Sequence, residues 1–277
     1  MKKYLALLLA LVMVFALAAC GQSAAPAATE EAAPAEEAAP AEEAAPAEEA
    51  APVEEAAPAE EAAPAEEAVP MMGYAEFAAA DLDTEVMVEC CVQAKQSWWD
   101  NKVSVYAADA DGAFFIYNMA CSEEDNEFLV PGQMILVTGF KSEWAGEVEI
   151  TDATFEFLDG EPFIAEAKDI SDVWGTVDMI NYMNQLVSFK DVTVEAYDDS
   201  GAAFAYKNPE EKTDDLYFKV TRGDTTYEFC VEYYLCNEET DVYKAVENLK
   251  VGDVIDLEGF LYWYEGPNLQ ATSVVVK

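Results

Sequence analysis

The chain has 277 residues, with 56 acidic against 14 basic side chains, a formal net charge of −42 and no histidine. Without histidine, imidazole acid–base catalysis and histidine-ligated zinc are excluded. So negative a chain repels phosphate backbones, since nucleic-acid affinity is largely neutralisation by Lys and Arg, and no nucleic-acid partner is expected.

The N-terminus reads Met1-Lys2-Lys3 followed by an apolar run from Tyr4 to Ala19. This is a basic segment and a hydrophobic segment too short to span a bilayer comfortably. It ends Leu17-Ala18-Ala19-Cys20-Gly21, which resembles the lipobox of bacterial lipoproteins. The resemblance implies a signal peptide over 1–19, removal before Cys20, and acylation of the Cys20 thiol. The product would be held on the extracellular face of the cell membrane, since two acyl chains anchor stably where one does not.

From 20 to 70 the chain is nearly a single hexapeptide repeat, Ala-Pro-Ala-Glu-Glu-Ala, with prolines at 34, 40, 46, 52, 58, 64 and 70. A proline every six residues breaks any helix that Ala and Glu would form. The segment has no aromatic residue, and its only branched aliphatics are Val53 and Val69. It is therefore expected to be a disordered spacer, stretching to on the order of 150 Å at roughly 3 Å per residue. Fourteen of the 56 acids are spacer glutamates and two of the 14 bases are Lys2 and Lys3, so the remainder carries about −30.

The rest divides into 71–160, a connector at 161–181, and 182–277. Thr84 to Gln93 places Val86, Val88, Cys90 and Val92 on one face and polar residues on the other, the pattern of a half-buried strand. Lys102 to Ala108 repeats it with Val103, Val105 and Ala107. Asp111-Gly112 is a hairpin signal, returning through Ala113 to Met119. Met134 to Phe140 and Val148 to Phe157 supply a fourth and a fifth strand.

The two halves repeat. Gly132, Gly139, Phe140 and Gly146 recur 120 positions later as Gly252, Gly259, Phe260 and Gly266, and Cys121-Ser-Glu-Glu recurs as Cys236-Asn-Glu-Glu. The extra residues of the second half fall in Asp241 to Leu249, where Val242, Ala245, Val246 and Leu249 have helical spacing. A short helix is predicted there, with a reduced connection in the first half. Five short strands with a helix between the third and fourth resemble the OB fold, and the chain is similar to tandem OB-fold lipoproteins of anaerobic gut-dwelling bacteria. The resemblance implies an all-β protein with two tandem five-stranded OB-fold-like barrels. The connector, with Trp174, is expected to pack between them.

In that fold, ligands lie across strands two and three, between the loop joining strands one and two and the loop joining strands four and five. Trp98, Trp99 and Asp100 fall in the first loop and Trp144 in the second. Tyr106, Phe114 and Ile116 are expected to face outward on strands two and three. In the second barrel, Tyr262, Trp263 and Tyr264 occupy the matching position, and Tyr197 to Asp215 forms a long loop. Adjacent side chains on an extended chain point opposite ways, so at least one of Trp98 and Trp99 lies at a strand end or in solvent. A tryptophan at a barrel mouth serves equally as a plug. Aromatic platforms flanked by carboxylates and amides (Asp100, Asn101, Asn118, Glu143) suit sugar rings. The ligand-binding set is therefore Trp98, Trp99, Asp100, Tyr106, Trp144 and Trp263. The expected function is non-catalytic binding of a glycan or cell-wall fragment, the alternative being a contact with an envelope protein.

Other signals are discounted. Asp109 to Gly112 begins like a calcium loop but lacks the third oxygen ligand and the distal glutamate. It reads as a turn. Cys90, Cys91, Cys121, Cys230 and Cys236 are an odd number and are expected to be buried free thiols. No Ser/His/Asp set and no metal constellation is present, so neither an enzyme nor a cofactor is expected.

Overall fold

The computed structural model describes residues 69–210 and 212–277. The expected signal peptide over 1–19, Cys20 and the repeat segment up to residue 68 lie outside the described residues. Strand β1 (Glu85–Lys95) buries Val86, Val88, Cys90 and Val92 on one side. It pairs antiparallel with β2 (Lys102–Ala108), which pairs with β3 (Ala113–Ala120). A helix, α2 (Glu123–Phe128), leads to β4 (Met134–Trp144) and β5 (Glu147–Phe157), and the sheet closes in the order β1-β2-β3-β5-β4. A preceding helix, α1 (Tyr74–Ala79), lays Phe77 edge-on against Phe114. Its C-terminal carbonyls accept from the buried Lys141, whose Nζ donates to Phe77, Ala78 and Ala80 at 3.0, 2.9 and 2.7 Å.

The second barrel is built from β7 (Leu186–Glu195), β9 (Leu216–Arg222), β10 (Thr225–Val231), β11 (Val254–Trp263) and β12 (Pro267–Val276). It closes through the β7–β9 pairing, with the short strands β6 (Lys168–Asp169) and β8 (Phe204–Tyr206) added outside the ring. Helix α3 (Asp241–Glu247) buries Val242, Tyr243 and Val246. The chain is thus all-β, with two tandem five-stranded barrels.

The internal repeat is visible in three dimensions. Before each fourth strand, a glycine N–H reaches back to the first strand: Gly132 to Val92 O at 2.8 Å and Gly252 to Val194 O at 2.9 Å. Gly139 and Gly259 sit where the fourth strand bends tightly over the fifth. A Cβ there would come within 2.7 Å of Thr151 O or 2.3 Å of Gln270 O, so only glycine fits.

Three expectations are corrected. First, both halves have a helix between their third and fourth strands, but α2 buries none of its residues and so carries no amphipathic signature. Second, Trp174 does not pack between the barrels: the start of the connector lies on the first barrel, where Gln93 donates to Phe163 O at 3.0 Å and accepts from Ala165 N–H at 2.8 Å, and its later part enters the second. Ile170, Trp174 and Met179 belong to the second barrel's core, where Trp174 meets Phe189, Tyr227 and Phe229 edge-on and donates to Thr225 O at 3.1 Å. Third, Phe114 and Ile116 point into the first barrel, not outward. They pair with Ala107 and Val105, which face the core, so they must face it too. Tyr106 and its partner Phe115 take the outer face.

That outer face is covered by the second barrel. Tyr106 stacks on Phe260 with centroids 4.2 Å apart and planes 7° from parallel, and its hydroxyl donates to Gln270 Oε1 at 2.9 Å. Tyr106, Phe115 and Phe260 form a third core, separate from the two barrel interiors. Phe140, the repeat counterpart of Phe260, is 41% exposed, whereas Phe260 is 3% exposed. The same sequence position therefore has opposite energetic weight in the two halves. In urea denaturation, Phe260→Ala is expected to cost about 3–5 kcal/mol and Phe140→Ala less than about 1 kcal/mol. Equal losses would contradict the stacked interface.

Candidate functional site

Docking of the barrels leaves a cleft of about 680 Å³ beside the Tyr106–Phe260 stack. Its walls come from both barrels, and six aromatic side chains line it: Trp99, Phe115, Tyr117, Trp144, Tyr234 and Tyr262. Ser104, Asn118, Gln96 and Gln270 add hydroxyl and amide groups, and among the described residues Lys207 and Glu232 are the only charged side chains on the walls.

Three tight turns set this arrangement. Trp99 and Lys102 exchange both backbone hydrogen bonds, at 3.0 and 2.9 Å, around Asp100 and Asn101, which both have positive φ. Asp and Asn tolerate that conformation better than other side chains. The turn sends Trp98 and Trp99 to opposite sides. Trp98 packs against the first core and donates Nε1–H to Cys121 O at 2.9 Å; Trp99 is 64% exposed on the cleft. Ser97 N–H donates to Tyr234 O at 2.7 Å, tying this hairpin to the second barrel. The β4–β5 turn at Ala145 and Gly146 presents Trp144, which packs on Tyr264 at 5.1 Å. Glu265 N–H donates to Ala145 O at 2.8 Å, joining this turn to the β11–β12 turn.

Of the residues singled out from sequence, Trp99 and Trp144 are brought together on the cleft. The other four are placed elsewhere. Trp98 is a plug. Asp100 occupies the exposed turn tip. Tyr106 is fully buried under Phe260 and closed to any ligand. Trp263 lies on the opposite side of β11 from Tyr262, packed on the second core and against Gly146. Tyr262, expected at the matching position of the second barrel, and the flanking amide of Asn118 also line the cleft, whereas Phe115, Tyr117, Tyr234, Gln270, Lys207 and Glu232 were not anticipated. Phe115 and Tyr117 were within reach through the register of the β2–β3 hairpin. The others depend on how one barrel meets the other, which leaves no local pattern.

Carboxyl groups are also buried where the barrels meet. Glu147 is fully buried between the barrels, where its Oε2 accepts from Trp263 N–H at 2.6 Å. Desolvation raises its pKa to about 8, partly opposed by the nearby Asn184 amide and the Trp263 hydrogen bond. The neighbouring Asn184 donates to Val148 O at 3.0 Å. Among the described residues, Glu147 Oε1 and Asn184 Oδ1 are the buried side-chain atoms without a partner. A proton on Glu147 gives its carboxyl a donor that a carboxylate lacks. Burial also raises Glu149 to about 7, and burial with the nearby Asp215 raises Glu232 to about 7. All five cysteines of the described region are buried and free, and Asp109 Oδ1 accepts from the N–H groups of Asp111 and Gly112 in the β2–β3 turn.

No family model and no curated protein matches the chain. Similar solved structures include a murine DNA-binding protein bound with double-stranded DNA, at 13% identity and TM-score 0.32 over 69% of this chain and 97% of that one. The HINa domain of Ifi202 in complex with 20-bp double-stranded DNA is similar at 13% identity and TM-score 0.31, over 71% and 96%. A replication protein A heterotrimer bound to single-stranded DNA is similar at 11% identity and TM-score 0.28, over 71% and 49%. Likeness at this level concerns the fold and assigns no ligand. The expectation of no nucleic-acid partner is withdrawn: the three structures named are DNA complexes, a property of those proteins. The charge argument is a property of the whole chain, whereas the cleft walls carry one lysine, one glutamate and six rings. Aromatic faces of this kind can stack bases as well as sugars.

Two outcomes are expected. Trp98→Ala removes a half-buried plug and its hydrogen bond and is expected to cost about 2–4 kcal/mol, against about 0.5 kcal/mol or less for Trp99→Ala, by chemical denaturation. Glu147 keeps its proton in the folded state up to about pH 8, whereas an unfolded glutamate loses it near 4.5. The folded state thus binds more protons between these values, and stability falls as pH rises from about 4.5 to 8. Glu147→Gln is expected to flatten that slope, measured as melting temperature against pH; an unchanged slope would remove Glu147 as its source.

Proposed function

We propose that this is a non-catalytic binding module whose cleft takes the rings of a glycan or cell-wall fragment. The single observation that carries this reading is the convergence of six aromatic side chains with Gln96, Ser104, Asn118 and Gln270 on one cleft. Sugar rings have apolar faces and hydroxyl edges. Exposed tryptophans such as Trp99 and Trp144 cover the faces, while amides and hydroxyls pair with the edges. The Leu17-Ala18-Ala19-Cys20 sequence supports attachment to a membrane through an acylated Cys20, with the Ala-Pro-Glu repeat as the spacer. On this reading the protein stands outside the cell and samples extracellular polymers.

The test is binding of the full chain, in detergent, to an array of cell-wall and host glycans, with single-stranded and double-stranded DNA as parallel arms. A Trp99→Ala/Trp144→Ala variant is run beside it, since both side chains are exposed and their loss leaves the fold intact. The expected result is binding to a class of glycans that falls at least tenfold in the variant. Binding to DNA but to no glycan, with the same loss in the variant, would reassign the cleft to nucleic acid. Glycan binding unaffected by the two substitutions would place the site elsewhere.

A further inference from the structure

The charges around the cleft do not cancel. Lys207, its one cation among the described residues, is already used: Nζ lies 3.0 Å from Oδ2 of the buried Asp215, whose Oδ2 also accepts from Tyr217 O–H at 3.3 Å and whose Oδ1 accepts from Tyr233 N–H at 2.9 Å. Glu232, on the same wall, is half-buried and makes no ion pair among the described residues. Its Oε2 accepts the Leu235 N–H at 2.7 Å, which closes the turn after β10. The aromatic rings add to this. Aromatic rings carry a negative quadrupole face, and a ring cluster beside a carboxylate suits a weakly hydrated organic cation. Small inorganic ions keep their water and gain little from such a surface.

We infer that the cleft is a cation-accepting site, and that the ligand presents an organic ammonium group to Glu232 and the rings around it. The inference rests on reading the cleft as a ligand site and narrows the ligand to one bearing an amine or quaternary ammonium substituent. The groups facing Glu232 are Asp215 and Lys207, the thiols of Cys230 and Cys236, and Tyr106 of the first barrel. Burial, with the nearby Asp215, raises the Glu232 carboxyl to about 7. A bound cation favours the carboxylate, so binding releases a proton from Glu232 and strengthens as pH rises through 7.

The probes are choline, whose charge is fixed at every pH, and 3,3-dimethylbutan-1-ol, its neutral isostere, each titrated into the full chain by calorimetry at pH 6 and pH 8. Choline is expected to bind at pH 8 about tenfold or more tightly than the isostere, and about three- to tenfold more weakly at pH 6. Glu232→Gln is expected to remove the preference for choline and its pH dependence while leaving isostere binding unchanged, which a misfolded turn would not do. The pH profile of the unsubstituted protein needs no variant and tests the same point. Equal binding of the two probes, or choline binding that ignores both pH and Glu232→Gln, overturns the inference. If the glycan array shows binding while choline is not preferred, only the ammonium assignment fails. If choline binds through Glu232 and no glycan does, the glycan reading fails and the cation site stands.

Discussion

The stack of Tyr106 on Phe260 is the contact on which the functional geometry depends. Two OB barrels joined by a connector could sit at any angle. Here one ring from each is buried face to face at 4.2 Å, and the Tyr106 hydroxyl is tied to Gln270 within the same apolar patch. A buried hydroxyl without a partner is costly, so the hydrogen bond selects one docking over its neighbours. Contacts around the stack then fall into register: Trp263 N–H on Glu147, Asn184 on Val148, Ser97 on Tyr234, and Glu265 on Ala145. The cleft is what remains open beside this contact, and its two walls belong to different halves of the chain.

Much of the fold was legible in the sequence. The alternation of Val86, Val88, Cys90 and Val92, the Asp111-Gly112 turn and the spaced glycines led to five strands per barrel because each is a local or repeated signal. The helix α3 was legible because it buries one face; α2 was not, because it buries none. Trp174 was misplaced because it is equally apolar whichever barrel it packs on. The site was half legible. Trp99 and Trp144 stood out as aromatics in turns, and turn chemistry does put them in solvent. Tyr106 failed as a site residue because the strand-two face, open in a lone barrel, is here a buried interface. Glu232, Lys207 and Tyr234 lie in the second barrel more than a hundred positions from Trp99, and no spacing rule links them.

The repeat shows how duplicated modules diverge. The bend glycines Gly139 and Gly259 are kept by backbone sterics, which are the same in both barrels. The adjoining phenylalanines are kept in sequence but not in burial, because only Phe260 has a partner domain to meet. Charge follows the same logic. Carboxylates are spread over most of the surface, yet where the barrels meet they are sealed from water and hold their protons toward neutral pH, as at Glu147. An acid-rich protein can thus present a cleft whose chemistry is set by aromatic faces and one carboxylate, not by its overall charge.

The most direct test of the central claim, that the inter-barrel cleft is the binding site, is a structure of the full chain with the tightest-binding oligosaccharide from the array. The account requires the sugar between the barrels, with a ring stacked on Trp99 or Trp144 and its edge toward Asn118 or Gln270. A ligand seated on the outer face of either barrel, with the cleft empty, would contradict it.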